Sequence, residues 1–448
     1  MDTLEIPGLD LVQDRDDDER ERRFNPYRYA QEPAAKQLIG NALECLAQLE
    51  AQSGIKRNKR RPHDQQTYEL TVDAILSDLA YDRLIERGCG VFITRSKQLL
   101  SRSNRYRPRV WTKMLPDIVD ALADQRVGLV VQELGWQSKD RGSKASVLRA
   151  GRALIDAIKL LDLDLTDFGE RPADETIILK RPTDPEDYWD EGGRIHYEDT
   201  DITRAFRDEL RAVNAWLSSA DISFSSSVQT RTGNLVDDRD RQLLRIFNLG
   251  RFDRGGRLFG GFWQPLSKQE RFEGIKIDGE RIVELDYGQA GTRIVYGLAG
   301  RQPPEGDLYS IPGYLPHRDG IKRVMSAMLF ATKEIERFPR NTKKLFRKEE
   351  FIRDVIQAIS NKHPDISNCF FRGIGHEAQF VESTILLRIL KDLREVGVTA
   401  LPIHDAILVP ASSIDKAREV MKDAFLSIAG VEASVSVERG SVGCLPVG

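Results

Sequence analysis

The sequence predicts an α+β protein built from several domains. Its 448 residues, 40% of them hydrophobic, are enough for about three domains of about 150 residues, each with a core of its own. The first half carries apolar groups mainly at helical spacing. The second half carries apolar runs of strand type, Ile282-Val283-Leu285 leading into Asp286 and the pair Leu401/Ile403 and Ile407-Leu408-Val409 flanking His404-Asp405. With 67 Lys+Arg against 70 Asp+Glu the net charge is −3, so attraction to a polyanion has to come from local patches. Cysteines 45, 89, 369 and 444 show no Cys-x-x-Cys spacing and no nearby histidine pair, which argues against a disulfide framework and a zinc module. An acidic amino terminus without signal-peptide order, and the absence of any 18-residue apolar run, lead to the expectation of a soluble intracellular protein with no membrane partner.

Taken in order, residues 1–64 read as a charged arm and a helix. Mixed charge from Asp14 to Arg23 makes residues 1 to about 35 a mobile arm by expectation. Leu38, Ala42, Leu46 and Leu49 then fall at helical spacing, followed by five basic residues from Lys56 to Arg61. Over residues 65–165 the order is helix (VDAILSDLAYDRLI), helix (MLPDIVDALADQRV), strand (GLVVQELGW), a Gly-containing basic turn (QSKDRGSKAS) and a further element. A winged-helix-like nucleic-acid-binding module needs that order, because its wing is a hairpin whose loop reaches phosphates. Between Arg95 and Lys113 lie seven basic residues, no acidic ones, and Tyr106 and Trp111. Arg105, Arg107 and Arg109 are candidate phosphate contacts beside stacking aromatics, with a solvated loop as the alternative. Residues 166–235 read as a connector, rich in Pro, Asp and Gly from Arg171 to Thr203, and an amphipathic helix through RAFRDELRAVNAWLSSA.

Three short segments of the second half carry chemistry. In RIVELDYGQAGTRIVYGLAG the apolar run ends at Asp286, where a buried carboxylate is costly without a counter-ion; helix capping is the plain alternative. In PHRDGIKRVMSAMLFATKE, residues Arg318, Lys322, Ser326 and Phe330 share one helix face. Such a face suits a triphosphate and then a base, or else a solvated cationic stripe, although Met325, Met328 and Leu329 oppose full exposure. TALPIHDAILVP reads strand, tight turn, strand, with His404-Asp405 at the tip. Two strand-end carboxylates bracketing a cationic helix suit in-line phosphoryl transfer assisted by two divalent cations about 3.5 to 4 Å apart, for which carboxylate oxygens are the natural ligands.

These segments resemble the three catalytic motifs of the family A polymerase superfamily, which joins DNA polymerase I-like enzymes and phage-type single-subunit RNA polymerases. LDYGQAG is similar to motif A, RDGIKRVMSAMLF to the motif B helix and PIHDAILV to motif C, over roughly residues 245–412. The resemblance implies a right-hand polymerase palm with short fingers over residues 236–448, after a thumb-like 166–235 and a mostly helical amino-terminal region. It implies two Mg²⁺ ions, replaceable by Mn²⁺, on Asp286, Asp405 and the Tyr287 backbone carbonyl. Arg318 and Lys322 would hold the triphosphate, with Ser326 and Phe330 at the nucleotide or template base. RFDRGGRLFGGFWQPL resembles the Gly-Arg segment upstream of motif A, which makes Arg257 a nucleic-acid contact alongside His404. IGHEAQFVESTILLRILKDLREVG resembles the helix before motif C, with Gln379 and Glu382 as candidate contacts or simply as part of a helix packed on the palm.

Departures from the family pattern refine the expectation. Gly291 stands where DNA polymerase I-like enzymes carry a glutamate that closes the space for a ribose 2′-hydroxyl, so ribonucleotides are expected to enter. Phe330 stands at the usual tyrosine position and lacks its hydroxyl, so deoxynucleotides are expected too. No acidic-triad pattern for proofreading occurs before residue 230. The expectation is a template-directed nucleotidyltransferase, a small primase-polymerase, RNA polymerase or replicase of a phage, plasmid or other mobile element. It would act on template, primer and nucleoside triphosphates in the cytoplasm of a bacterial or phage-infected cell. The alternatives are a strict DNA polymerase, a template-independent nucleotide-adding enzyme, and a non-catalytic replication initiator that binds DNA.

Overall fold

The computed structural model describes residues 21–53, 59–85, 89–101, 104–138, 142–182, 192–225, 227–228, 230–231 and 236–440. Most of the expected arm (1–20), part of the basic linker (54–58), the tip of the basic turn (139–141) and Cys444 lie outside the described residues. The chain is mixed α and β and divides into two compact units, Met1–Glu175 and Thr176–Gly448.

The first unit contains β1 (Arg22–Arg23), β2 (Arg28–Ala30), α1 (Pro33–Ser53), α2 (Pro62–Leu84), β3 (Val91–Ile93), α3 (Lys97–Leu100) and α4 (Leu115–Leu122). It continues with β4 (Val130–Glu133), β5 (Trp136–Ser138), β6 (Gly142–Lys144), β7 (Ser146–Ala150), α5 (Arg152–Leu160) and β8 (Phe168–Glu170). Leu38, Ala42, Leu46 and Leu49 of α1 are all buried, as their spacing requires. α2 opens on Pro62, tolerated where the first N–H groups have no helical partner, and is buried at nearly every position from Thr67 to Asp82. The described sheet runs β1-β3-β7-β4, and the strands flanking the basic turn form an antiparallel hairpin, β4 on β7 and β5 on β6.

The chain is already tied down at Arg22, well before residue 35, where the charge pattern places the end of a mobile arm. Asp78, fully buried on α2, meets Arg22 at 2.8 Å and Arg28 at 3.2 Å, and accepts the Asn25 backbone N–H at 2.9 Å. Those arginines are counter-ions to an interior carboxylate rather than part of a solvated tail.

The second unit begins with β9 (Ile177–Leu179), α6 (Asp201–Ser219), β10 (Ile222–Phe224), β11 (Leu243–Phe247), β12 (Gly255–Gly260), α7 (Lys268–Gly274), β13 (Ile275–Ile277) and β14 (Glu280–Tyr287). It goes on through α8 (Ala290–Leu298), α9 (Arg318–Phe330), α10 (Ile352–Lys362), α11 (Ile374–Glu395), β15 (Leu401–Ile403), β16 (Ala406–Pro410), α12 (Ile414–Ala429) and β17 (Val435–Arg439). The main sheet runs β10-β13-β14-β16-β15, with β17 also paired to β14, and every described pairing in it is antiparallel. A smaller sheet, β12-β11-β9, carries the Gly-rich segment. Thr200 caps α6 through a capping box. Asn214 of that helix exchanges two hydrogen bonds, 2.9 and 3.0 Å, with the Leu243 backbone, so α6 belongs to this unit's core.

Candidate active site

β14 alternates as a strand must, so Ile282, Glu284 and Asp286 share one face and Val283, Leu285 and Tyr287 the other. Register places Asp286 opposite Ala406 on β16, and His404-Asp405 forms the two-residue turn between β15 and β16. The two aspartates are therefore brought to the same end of neighbouring strands. His404 takes the left-handed conformation, φ 54°, and is exposed. Trp263, fully buried, donates its indole N–H to the Pro402 carbonyl at 2.9 Å and holds β15 in place.

Two carboxylates on one face of β14 have opposite surroundings. Glu284 is buried but meets Lys268 at 2.9 Å and Arg271 at 3.2 Å. Asp286 has a buried oxygen, Oδ1, with no hydrogen-bond partner. Burial pushes its pKa up to about 6, repulsion from Asp405 and Glu284 adds to that, and Lys322 on α9 pulls the other way. A partnerless buried carboxylate oxygen beside a second carboxylate is the donor set that a hard divalent cation fits. Among the described residues no three His, Cys, Asp or Glu side chains gather into a metal cage, so a cation here would complete its shell from backbone, water or substrate oxygens. Tyr287 turns its ring inward, donates to the Met421 carbonyl at 2.5 Å and packs on Phe425 at 4.8 Å between centroids. Burial raises its pKa.

Arg257, on β12, donates to Glu382 of α11 at 2.8 Å. Burial pushes the Glu382 pKa up to about 7 against the pull of Arg257, and Asp405 and Asp286 add repulsion. The Arg257–Glu382 pair thus shares the neighbourhood of the two aspartates. Gly256 beside it has φ 80°, and a Cβ there would stand 2.9 Å from Ser383 Oγ; glycine is needed for the close approach of β12 to α11. Arg245 lies fully buried under this contact, donates to the Gly256 carbonyl at 3.1 Å and to Ser383 Oγ at 3.1 Å, and burial brings its pKa down to about 10. Gln379 is half-buried on the same helix.

On α9, Arg318, Lys322 and Ser326 are exposed and Phe330 is half-buried, its ring edge-on to His376 at 5.0 Å. Arg318 is engaged by Asp307, whose carboxylate also accepts the Gln289 side-chain N–H at 2.5 Å and the Tyr309 backbone N–H at 3.0 Å. Gln289, at φ 64°, opens α8 three residues after Asp286. This Gln289–Asp307–Arg318 chain, invisible to periodicity, joins the end of β14 to the start of α9. A Cβ added at Gly291 would meet nothing within 4 Å.

In the first unit, Arg105 meets Glu175 at 3.0 Å, Arg107 donates to the Leu99 carbonyl at 2.5 Å and Arg109 to Gln66 at 3.1 Å. Arg95 and Lys97 from the same stretch meet Asp120 and Asp117, each at 2.7 Å. The acids absent from this segment's own sequence are supplied by other elements of the unit.

No family model matches the chain, and no curated protein does. Among solved structures it is similar to the POL domain of Pol1 from M. smegmatis in complex with DNA primer-template and dNTP, at 13% identity and a TM-score of 0.28. That likeness covers 53% of this chain and 52% of that one, about half the length of each. Among the described residues no helix is long and apolar enough to cross a membrane.

Proposed function

We propose that the chain is a template-directed nucleotidyltransferase of the kind its three motifs resemble, with the site around Asp286 and Asp405 as its centre. The observation that carries this reading is the unpartnered Oδ1 of Asp286, brought by strand register to the end of the hairpin that bears Asp405. Glu284, two residues earlier on the same face, is ion-paired with two cations, whereas Asp286 forms no ion pair among the described residues and has only the pull of Lys322 and the Tyr287 backbone N–H to set against its burial.

In this reading Asp286, Asp405 and the Tyr287 carbonyl hold two Mg²⁺ ions, for which Mn²⁺ can substitute. Bound there, the ions supply charge for the attacking 3′-hydroxyl and the departing pyrophosphate. Lys322 and Arg318 bind the triphosphate, Arg318 after exchanging its Asp307 partner for phosphate oxygens. Ser326 and Phe330 meet the base, while Arg257, His404 and Gln379 contact the nucleic acid. The open space over Gly291 supports acceptance of ribonucleotides. Residues 65–165 serve as a winged-helix-like nucleic-acid-binding module, 166–235 as connector and thumb-like region and 236–448 as palm and fingers. The chain would then be a small primase-polymerase, RNA polymerase or replicase of a phage, plasmid or other mobile element, without proofreading, acting in the cytoplasm.

Incubation of the protein with primer-template, Mg²⁺ and either nucleotide set tests this directly. Primer extension with ribonucleoside triphosphates is expected. Extension with deoxynucleotides alone rejects the reading of Gly291, and extension with neither set rejects the reading as a whole.

A further inference from the structure

Glu382, on α11, is a buried acid that the chemistry above leaves unused. Its side chain is 8% exposed, and Arg257 reaches it with Nε and Nη2 both on one oxygen, Oε1, each at 2.8 Å. The pair thus leaves Oε2 to other neighbours. Its place on the helix is fixed, because Arg245 donates to the hydroxyls of the next two residues, Ser383 and Thr384, at 3.1 and 3.3 Å. Glu382 also lines a small cavity together with Asp405 and Tyr287, the rest of the lining being apolar side chains of α8, α11 and α12. The cavity measures about 10 Å³, room for about one water, whose two O–H groups suit two carboxylates.

A buried carboxylate that serves only the fold is expected to stand among cations, as Glu284 does between Lys268 and Arg271. Glu382 has Arg257 to attract it, but Asp405 and Asp286 both repel it. Three acids drawn together in a partly buried space oppose one another until a cation is shared among them. Among the described residues no three such side chains gather into a metal cage, so Glu382 stands outside the ligands themselves. A carboxylate behind a metal ligand orients that ligand and strengthens its hold on the metal.

We propose that Glu382 is a positioning residue of the cation site: it cancels the charge of Arg257 beside the two aspartates and, through a water in the cavity they share, orients Asp405 toward a divalent ion. This rests on the reading of Asp286 and Asp405 as cation ligands above. Nothing in the local pattern of α11 singles Glu382 out for such a role, and only the fold brings it to the cavity beside Asp405.

The test is Mn²⁺ binding, read from the electron paramagnetic resonance signal of free Mn²⁺ with neither nucleotide nor nucleic acid present, at about pH 8, above the range in which Glu382 holds a proton. Wild type is compared with Asp286→Asn, Glu382→Gln and Arg257→Gln. The tightest Mn²⁺ site of the wild type should be lost in Asp286→Asn. Glu382→Gln, close in shape, is expected to raise the Kd of that site about tenfold. Arg257→Gln should leave the Kd unchanged or lower it, because the acid is then freed of its partner. A pair that serves only the fold would weaken binding alike from either side, so a loss in Arg257→Gln as large as in Glu382→Gln overturns the proposal. An unchanged Kd in Glu382→Gln overturns it too. If Glu382→Gln melts early, Glu382→Asp decides: it keeps the charge and should bind Mn²⁺ more tightly than Glu382→Gln, and a Kd no tighter sinks the idea. Binding that survives Asp286→Asn removes the cation site on which Glu382 is held to act. A wild type that binds Mn²⁺ through Asp286 yet extends no primer rejects the polymerase reading and leaves the role of Glu382 in place.

Discussion

Two aspartates, one in each unit, are treated in opposite ways. Asp78 on α2 is fully buried and surrounded by two guanidiniums and a backbone N–H. Asp286 at the end of β14 is half-buried, faces a second carboxylate and keeps one oxygen with no partner. A carboxylate fully paired inside the protein organises the fold, and one that keeps a buried oxygen without a partner, with only Lys322 and the Tyr287 backbone N–H opposing its burial, leaves room for a ligand from outside. The difference lies in the company each acid keeps, since the residue type is the same.

Breaking the unanswered side should have the largest effect on chemistry and the smallest on folding. Asp286→Asn or Asp405→Asn is expected to cut single-turnover incorporation by about a thousandfold or more, because charge for cation binding is lost. The melting temperature should hold or rise as like-charge repulsion is relieved. Full incorporation by either variant would erase the distinction drawn here. On the answered side, Asp78→Asn should cost about 3 to 5 kcal/mol in urea unfolding by leaving Arg28 buried without its counter-ion.

Glu284→Gln sharpens the contrast within a single strand face. It should cost about 2 kcal/mol of stability, because Lys268 and Arg271 lose a charged partner, while incorporation falls far less than in Asp286→Asn. Smallest of all, Arg109→Ala should lower nucleic-acid affinity modestly and reduce the salt slope by about one if the first unit contacts phosphates. An unchanged slope would remove Arg109 from that role.

Much of the second unit's framework was legible in the sequence, because strand ends and helix faces are local patterns. An apolar run ending in Asp286, an apolar hairpin around His404-Asp405 and a helix with Arg318, Lys322, Ser326 and Phe330 in line each need only near neighbours to be recognised. Side-chain pairing across long stretches of chain was not legible. Glu382 under Arg257, Asp307 between Gln289 and Arg318, and Arg22 and Arg28 on Asp78 have no spacing rule. The basic stretch from Arg95 to Lys113 shows the same limit from the other side. It contains no acid, yet Asp117, Asp120 and Glu175 reach three of its cations once the chain folds. Charge counted along a segment measures what must be neutralised, and not how much remains for a ligand.

The neighbours Asp286 and Tyr287 give the sheet a built-in proofreader of its own assembly. A slip of β14 by one residue against β16 would turn the carboxylate toward Phe425 and the interior, and push the phenol out, away from the Met421 carbonyl. Both errors are costly, and they come together. A chain that has folded out of step therefore cannot linger as a compact but chemically idle lookalike, since the penalty for misplacing the acid is levied on the same ladder of backbone bonds that shapes the hydrophobic interior.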